Sequence, residues 1–256
     1  MTGAITEYVD VAQVALYVFW LAFAGLVYYL HQENKREGYP MESDHSDRVT
    51  VQGWPPVPQA KVYHLRDGTR IPMPNEDKSP IPRGPQRSAV REGAPIEPTG
   101  NPLLAGVGPG AWANRADHVD LTSEDEPRIV PVSELMRFEV DRSDPDPRGL
   151  PVYGADGKPA GTVRELWVDR SDVLFRYLEI EVPLPAGGTR RALLPIVFAR
   201  INARRVTVAS ILAHQFADIP PTREPNRVTL LEEDKILAYF GAGTLYAEAA
   251  RAEPIL

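Results

Sequence analysis

The sequence predicts a membrane-anchored α+β protein. It has one N-terminal transmembrane helix, an extended proline-rich segment, a small antiparallel β-barrel and a C-terminal helix. Three observations predict this architecture. Residues 11–30 carry no charged side chain, half of the 26 prolines lie between residues 40 and 110, and short alternating apolar stretches begin near residue 128. We divide the chain into an N-terminal tip with the helix (1–36), an extended segment (37–115), a β-barrel domain with its helix (116–247) and a tail (248–256).

The apolar run at 11–30 has the length of a membrane span, because a helix of that length extends about 30 Å. A secretory signal peptide is one alternative, and Ala22-Phe23-Ala24 matches a cleavage pattern. However, no basic residue precedes the run, and it stays apolar through Leu30. A buried helix would be shorter or carry a polar stripe, and an interfacial helix needs a polar face. We therefore predict a spanning helix.

The basic residues predict the orientation of this helix. No Lys or Arg precedes it, while Lys35 and Arg36 follow it directly. The positive-inside rule places such residues in the cytoplasm. We expect the N-terminus outside and the large C-terminal body in the cytoplasm.

Composition excludes several functional classes. A net charge of −7 and a pI near 5.3 argue against a nucleic-acid partner, which needs a basic surface. The absence of cysteine excludes disulfides, thiolate metal sites and cysteine nucleophiles. No serine elbow, HExxH or Walker pattern occurs, and His45, His64 and His214 lack metal-ligand spacing. We predict no metal site and no independent enzyme activity.

The proline-rich segment is predicted to be mostly extended chain on a partner surface, because proline fixes φ and lacks a donor. One small hairpin is predicted within it, from Val62–Leu65 and Thr69–Ile71 around Asp67-Gly68. The cluster Gly106-Val-Gly-Pro-Gly110 superficially resembles a phosphate loop, but no Lys-Ser/Thr follows it. A structural loop is the better interpretation.

Alternating apolar residues predict the strands of a small barrel or sandwich. The predicted strands are Ile129–Val132, Phe138–Val140, Pro151–Gly154, Gly161–Val168, Tyr177–Val182, Arg191–Leu194, Ala199–Ile201 and Arg205–Val208. Residues 229–247 predict a closing helix that Gly241 and Gly243 terminate. Its apolar side is predicted to consist of Leu230, Ile236, Leu237 and Tyr239.

Short segments spread along the whole chain carry a family resemblance. They are Tyr28-Tyr29-Leu30, Glu33-Asn34, Arg36–Pro40, Pro98–Gly100, Gly106–Pro109, Trp112, Gly149–Val152, Trp167–Asp169, Leu193–Pro195 and Thr229–Ile236. In this order and spacing the chain resembles the H subunit of the purple-bacterial photosynthetic reaction centre. Residues 148–215 also resemble the more widespread PRC-barrel module.

The resemblance implies an accessory subunit rather than a pigment-binding one. Such a subunit caps the cytoplasmic face of the L and M subunits, stabilises their assembly, shields the quinone sites and conducts protons to the secondary quinone. Bacteriochlorophyll, bacteriopheophytin, quinones and a non-haem iron are expected in the partner subunits, and none of them on this chain alone. A surrounding light-harvesting antenna and membrane lipids are also implied. The location implied is the inner (intracytoplasmic) membrane, with a periplasmic N-terminus. Lipid contacts are expected at Tyr29, Arg36 and Tyr39.

The resemblance assigns proton transfer first to the stretch from Trp167 to Arg176. The family has Asp at the position of Asp169, Glu at that of Asp172 and Arg at that of Arg176. Asp172 is one methylene shorter than the family Glu, so a water would have to bridge the gap. We expect partial burial and like-charge neighbours to raise the pKa values of these carboxyl groups. From the residues alone, a solvated acidic turn remains an alternative.

Two further acidic groups are assigned in the same way. Asp120, Glu124 and Glu126 lie where the family takes up protons, although better-known members have histidines at the positions of Glu124 and Glu126. A solvated charge run remains the alternative there. Glu233 matches a family carboxylate that faces the quinone region. Glu232 lies about 100° from it around the helix, so the two cannot point at the same site.

Two other functions stay open from the sequence. A single-span membrane adaptor could use the barrel as a general protein-binding module. A membrane-tethered enzyme with an unrecognised site is the second alternative.

Overall fold

The computed structural model describes residues 10–39, 41–43, 46–51, 53–66, 68–74, 86–87, 96–136 and 138–252. The chain divides into two compact units, the first ending at residue 78 and the second beginning at residue 79.

The first unit begins with the helix α1 (Val11–Glu33). Asp10 caps it, because its carboxylate accepts a hydrogen bond of 2.7 Å from the backbone N–H of Gln13. Within the described part of the chain, one helix is long and apolar enough to span a membrane, and none of its apolar window is buried. The helix continues three residues past the predicted span and ends at Glu33. Gly38, which has a positive φ, follows shortly after it.

Two hairpins follow α1. The first pairs β1 (Met41–Ser43) with β2 (Ser46–Val51), which was not predicted. The second pairs β3 (Lys61–His64) with β4 (Arg70–Met73) and confirms the predicted hairpin, with Tyr63 opposite Ile71. In the described residues up to Met73, the proline-rich segment therefore contains extended strands that pair locally.

The second unit is built on one seven-stranded sheet. A short pair, β5 (Gln86–Arg87) and β6 (Ile96–Glu97), precedes it. The sheet strands are β7 (Ile129–Pro131), β8 (Pro151–Tyr153), β9 (Pro159–Asp169), β10 (Leu174–Pro183), β11 (Thr189–Pro195), β12 (Ala199–Ile201) and β13 (Val206–Val208). Their order is β11-β10-β9-β8-β13-β12, and β7 also pairs with β9.

The sheet differs from the predicted one in two details. Residues 138–140 form no strand; Phe138 and Val140 pack against the core from irregular chain, so their alternation reflects burial rather than pairing. The pair β8–β13 is parallel, whereas an all-antiparallel barrel was predicted. The core of the unit contains the fully buried side chains of Trp167, Phe216, Tyr239 and Phe240.

The closing helix α2 (Leu230–Tyr246) begins with a capping box between Thr229 and Glu232. The prediction that Gly241 and Gly243 end it was wrong, since the helix runs through both. These glycines instead allow neighbouring backbone to pack closely against the helix. A Cβ on Gly241 would lie 2.5 Å from the carbonyl oxygen of Pro109. Leu237 is exposed, contrary to the prediction, and the buried side of the helix includes Ala238 and Phe240 beside the predicted Ile236 and Tyr239.

The loop at 106–110 packs against the same helix. A Cβ on Gly110 would lie 2.8 Å from the Cβ of Ala242. The glycines therefore allow close approach of two backbones, which is the structural role expected for this loop.

The contact at Gly243 gives a prediction about stability. A Cβ there would lie 2.5 Å from the carbonyl oxygen of Ser210, which belongs to the backbone and cannot move freely. We expect Gly243→Ala to lower the free energy of unfolding by about 1–3 kcal/mol, despite a gain of about 1 kcal/mol in helix propensity. Urea unfolding followed by far-UV circular dichroism measures this.

Thr244→Ala is the matched control, because Thr244 is the next residue of the helix and is exposed. Its effect should stay within about 0.5 kcal/mol. Equal or greater stability of the Gly243→Ala chain would contradict the packing role.

Candidate functional site

Strand pairing brings together the acidic residues of the barrel. β7 pairs with β9 so that Ile129 lies opposite Asp169. Arg128, directly before β7, is therefore held beside the end of β9, and its carbonyl accepts a hydrogen bond of 2.9 Å from the N–H of Arg170. A basic residue far from Asp169 in sequence thus becomes its neighbour.

Arg128 contacts three carboxylates at once. Its Nε donates to Asp169 Oδ1 at 3.0 Å, its Nη1 donates to Asp120 Oδ2 at 3.2 Å, and its Nη2 donates to Asp172 Oδ2 at 2.8 Å. Nη2 also lies 2.9 Å from Asp169 Oδ2. We call these four residues the Arg128 cluster. It unites Asp120, Asp169 and Asp172, which the resemblance assigned to proton transfer.

Arg176 reaches the same cluster through a β-bulge. The register of β9 and β10 shifts between Phe175 and Tyr177, which leaves Arg176 without an opposite residue. Bulges of this kind redirect a side chain. The Nε of Arg176 lies 3.3 Å from Asp169 Oδ2, and its Nη2 lies 4.0 Å from Asp172 Oδ2.

Asp169 departs from the expected electrostatics. Its side chain is completely buried, and this burial opposes ionisation. Hydrogen bonds from Arg128 and from the backbone N–H groups of Asp172 and Ser171 outweigh it, so the pKa of Asp169 is lowered. The expectation of a raised pKa was wrong here. Asp169 is a fixed negative charge at neutral pH.

Asp172 lies at the exposed side of the cluster. Its side chain is 48% exposed, in contrast to the buried Asp169. It belongs to the turn between β9 and β10, where the backbone N–H of Asp172 donates to Asp169 Oδ1 at 3.1 Å. Asp172 is therefore a carboxylate with access both to solvent and to Arg128.

Glu233 is the carboxylate with a raised pKa. It lies in the first turn of α2, and Tyr177 of β10 donates a hydrogen bond of 3.0 Å to its Oε2. Burial raises the pKa of Glu233, and the Tyr177 hydrogen bond and the charge of Arg176 oppose this only in part. The pKa expected for a proton carrier is thus found at Glu233 rather than at Asp169.

The neighbours of Glu233 on the helix point elsewhere, as predicted. Glu232 accepts hydrogen bonds from the backbone N–H groups of Thr229 and Arg223. Asp234 lies 3.4 Å from Arg115 and accepts a hydrogen bond from the N–H of Ala113. Both residues fix chain segments around the site.

The run at 122–126 is a tight, exposed turn. Glu124 accepts a hydrogen bond of 2.6 Å from Ser123 Oγ, and this contact lowers the pKa of Glu124. Glu126 forms an ion pair with Arg170. The structure thus places both carboxylates at the surface, outside the contacts of the Arg128 cluster.

The residues expected to contact lipid lie in the first unit. Tyr29 is exposed on α1. Arg36 forms an ion pair with Glu33 at 2.8 Å, and the ring of Tyr39 lies beneath the Lys35 ammonium at 5.2 Å. Lys61 also contacts Glu33, at 2.5 Å. Arg36 therefore already has a carboxylate partner within the chain.

Two residues of the site were not predicted from the sequence. Arg128 is the first basic residue after an acidic run, and buried carboxylates require a counter-charge; this was a usable signal. Tyr177 gave no such signal, because a strand tyrosine is usually a packing residue.

Family comparisons match most of the chain up to residue 215. The photosynthetic reaction centre H-chain N-terminal region matches residues 3–134. The PRC-barrel domain matches residues 139–215. The chain belongs to the reaction centre H-chain family. The first match ends shortly after β7, and the second covers β8 to β13.

The Arg128 cluster of this H chain therefore lies where the two matched regions meet. Asp120 and Arg128 come from the first, and Asp169, Asp172 and Arg176 come from the second. Within the described residues, no group of three or more metal-ligating side chains could hold a metal ion. The carboxylates and guanidinium groups present can stabilise charge, and carboxylates in general can exchange protons.

The pairing of Arg128 with buried Asp169 gives a second stability prediction. We expect Arg128→Met to lower the free energy of unfolding by about 3 kcal/mol at neutral pH, because the more distant Arg176 would be the counter-charge left to Asp169. The lowered pKa of Asp169 contributes stability above its unfolded pKa of about 4, and this stability is lost as the pH falls. The difference between variant and wild type should therefore shrink in acid.

Arg164→Met is the control, because Arg164 pairs with Glu181 at the surface and is 57% exposed. It should cost less than about 1 kcal/mol. Denaturant unfolding at several pH values measures both variants. Equal decreases in the free energy of unfolding in the two variants would contradict the stabilising role of the Arg128–Asp169 pair. A decrease in Arg128→Met that does not depend on pH would contradict it as well.

Proposed function

We propose that this reaction centre subunit caps the cytoplasmic face of the L and M subunits, stabilises their assembly, shields the quinone sites from water and conducts protons to the secondary quinone. One observation carries the proton-conducting part. A partly buried carboxylate with a raised pKa, Glu233, lies in the first turn of α2, and the charges of Asp120 from the Arg128 cluster and of the neighbouring Arg176 act on its pKa.

The architecture supports the anchoring and capping roles. α1 is one long apolar helix with an exposed surface, and such a surface is stable in lipid or against other membrane helices. Lys35 and Arg36 at its end favour a cytoplasmic location for the body and a periplasmic N-terminus. We place the chain in the inner (intracytoplasmic) membrane, surrounded by lipids and the light-harvesting antenna.

The cofactors are proposed to lie in the partner subunits, where bacteriochlorophyll and bacteriopheophytin carry out charge separation and the quinones accept electrons beside a non-haem iron. The contribution of this chain is to exclude water and to supply protons. We propose that Tyr29, Arg36 and Tyr39 contact lipid at the level where α1 leaves the membrane.

The proton route is proposed to start at exposed carboxylates and to end at Glu233. Asp172 exchanges protons with solvent through its exposed side chain, with Glu124, Glu126 and Asp120 as further acceptors nearby in the chain. Arg128 and Arg176 keep the cluster close to neutral, which limits repulsion between its carboxylates. Asp169 stays ionised and attracts the arriving proton without binding it.

Glu233 is proposed to hold the proton before its release toward the partner subunits. Its neutral form is favoured by burial, and its raised pKa lies closer to ambient pH than that of an exposed Glu. A carrier whose pKa is near the working pH both accepts and releases protons efficiently. Asp120 adds to this effect, because its negative charge also raises the pKa of Glu233.

A first prediction tests the assembly. When the chain is purified through an affinity tag from phototrophically grown cells, we expect bacteriochlorophyll absorption in the near infrared in the same complex. The pigments belong to the partner subunits, so their presence reports association. Removal of residues 11–30 should abolish co-purification, since α1 is the membrane-spanning element. A pigment-free preparation would instead support the adaptor function.

A second prediction tests proton conduction. Asp172→Asn should slow proton-coupled reduction of the secondary quinone after a flash and leave primary charge separation intact, because the amide cannot bind the transferred proton. Flash-induced absorption changes between about pH 6 and 9 measure this, because the pKa of Glu233, the proposed acceptor of the proton, is raised.

Asp146→Asn is the matched control, because Asp146 is an exposed carboxylate that pairs with Arg148 outside the cluster. Its kinetics should equal those of the wild type. Unchanged kinetics in Asp172→Asn across the whole range would remove Asp172 from the route.

A further inference from the structure

Tyr177 is a buried phenol whose hydroxyl has an ionisable partner. Its side chain is 2% exposed, and its oxygen donates to Glu233 Oε2 at 3.0 Å. Tyr177 follows the bulge residue Arg176, and it lies opposite the buried Trp167 on β9. The ring is therefore fixed by the sheet, while Glu233 belongs to the helix α2.

We infer that Tyr177 is a positioning residue for Glu233: its hydroxyl holds the carboxylate in one place in both protonation states and stabilises the ionised form. When Glu233 is ionised, the phenol donates the hydrogen bond, as observed. When Glu233 is protonated, the carboxylic acid can donate to the same phenol oxygen, because a phenol is both donor and acceptor. The pair thus survives each gain and loss of the proton.

Tyr177 itself remains protonated throughout. Burial, followed by the negative charge of Glu233, raises the pKa of its phenol above the ordinary value. The phenol therefore does not compete with Glu233 for the proton. Its effect on Glu233 is the stabilisation that a neutral donor gives to a buried charge.

The other charged groups around Glu233 do not replace this contact. Those whose charges act on its pKa are Arg176 of β10, with Arg115 and Asp120 of the segment before β7. On α2 itself, Glu232 and Asp234 are bound to other chain segments. Among the described hydrogen bonds, the one from Tyr177 is the side-chain bond that reaches the Glu233 carboxylate.

The test is an infrared titration of the purified reaction centre between about pH 4 and 9. The absorption band of protonated Glu233 is identified as the one lost in Glu233→Gln. In Tyr177→Phe, which removes only the hydroxyl, this band should titrate about one pH unit higher, because the hydrogen bond lost from the charged form is stronger than the one lost from the neutral form.

Tyr239→Phe is the matched control. Tyr239 is equally buried, but its hydroxyl donates to the carbonyl oxygen of Gln215 at 2.7 Å and has no carboxylate partner. The Glu233 band should titrate in this variant as in the wild type. An unshifted band in Tyr177→Phe, or the same shift in both variants, would overturn the inference.

A second measurement needs no substitution at Tyr177. With ring-labelled tyrosine, the tyrosine bands of the wild type should change as Glu233 titrates, and this change should be absent in Glu233→Gln. A tyrosine spectrum that does not respond to Glu233 would equally overturn the inference.

The inference rests on the proposed function only for its predicted effect on the reduction of the secondary quinone. In Tyr177→Phe, the pH dependence of secondary-quinone reduction should move upward with the infrared band. If Glu233→Gln leaves that reduction unchanged, the proposed route through Glu233 is wrong. The infrared shift still decides the role of Tyr177, because it measures the protonation of Glu233 directly.

Discussion

The pairing of β7 with β9 is the constraint on which the site depends. It places Arg128 against a completely buried carboxylate, that of Asp169. A buried carboxylate without a counter-charge would cost several kcal/mol, roughly the margin of stability of a small domain. The same pairing joins the segment before the barrel to the barrel itself, so the fold and the charged site are maintained together.

Asp169 and Glu233, which the family resemblance assigned to the same role, differ in the direction of their pKa shifts. Asp169 is buried with guanidinium groups and backbone donors, and its ionised form is favoured. Glu233 is partly buried and accepts its side-chain hydrogen bond from a neutral phenol, and burial raises its pKa. Burial raises the pKa of both carboxyl groups, so their hydrogen-bond and charge partners decide whether the net shift is upward or downward.

The glycines of the second unit show a related point about packing. Gly241 and Gly243 would ordinarily end a helix, yet α2 continues through them, because neighbouring backbone occupies the space of a side chain. Gly110 has the same function on the opposing loop. Close backbone contact thus fixes the helix that carries Glu233, and the position of its carboxylate follows from this packing as well as from Tyr177.

Much of the fold could be predicted from the sequence, because its signals are local. An uninterrupted apolar run predicts α1, period-two alternation predicts β8 to β13, and apolar residues at helical spacing within 229–247 predict α2. The family resemblance likewise depends on residues that can be read in order.

Only the tertiary structure decided which charges meet. Arg128 and Asp169 are joined by strand register, Arg176 is redirected by a bulge, and Tyr177 reaches Glu233 across a sheet–helix contact. Each of these contacts joins residues whose relation the local sequence pattern does not specify. The pKa of a carboxyl group depends on its burial and on its partners, and both are properties of the folded chain rather than of the residue type.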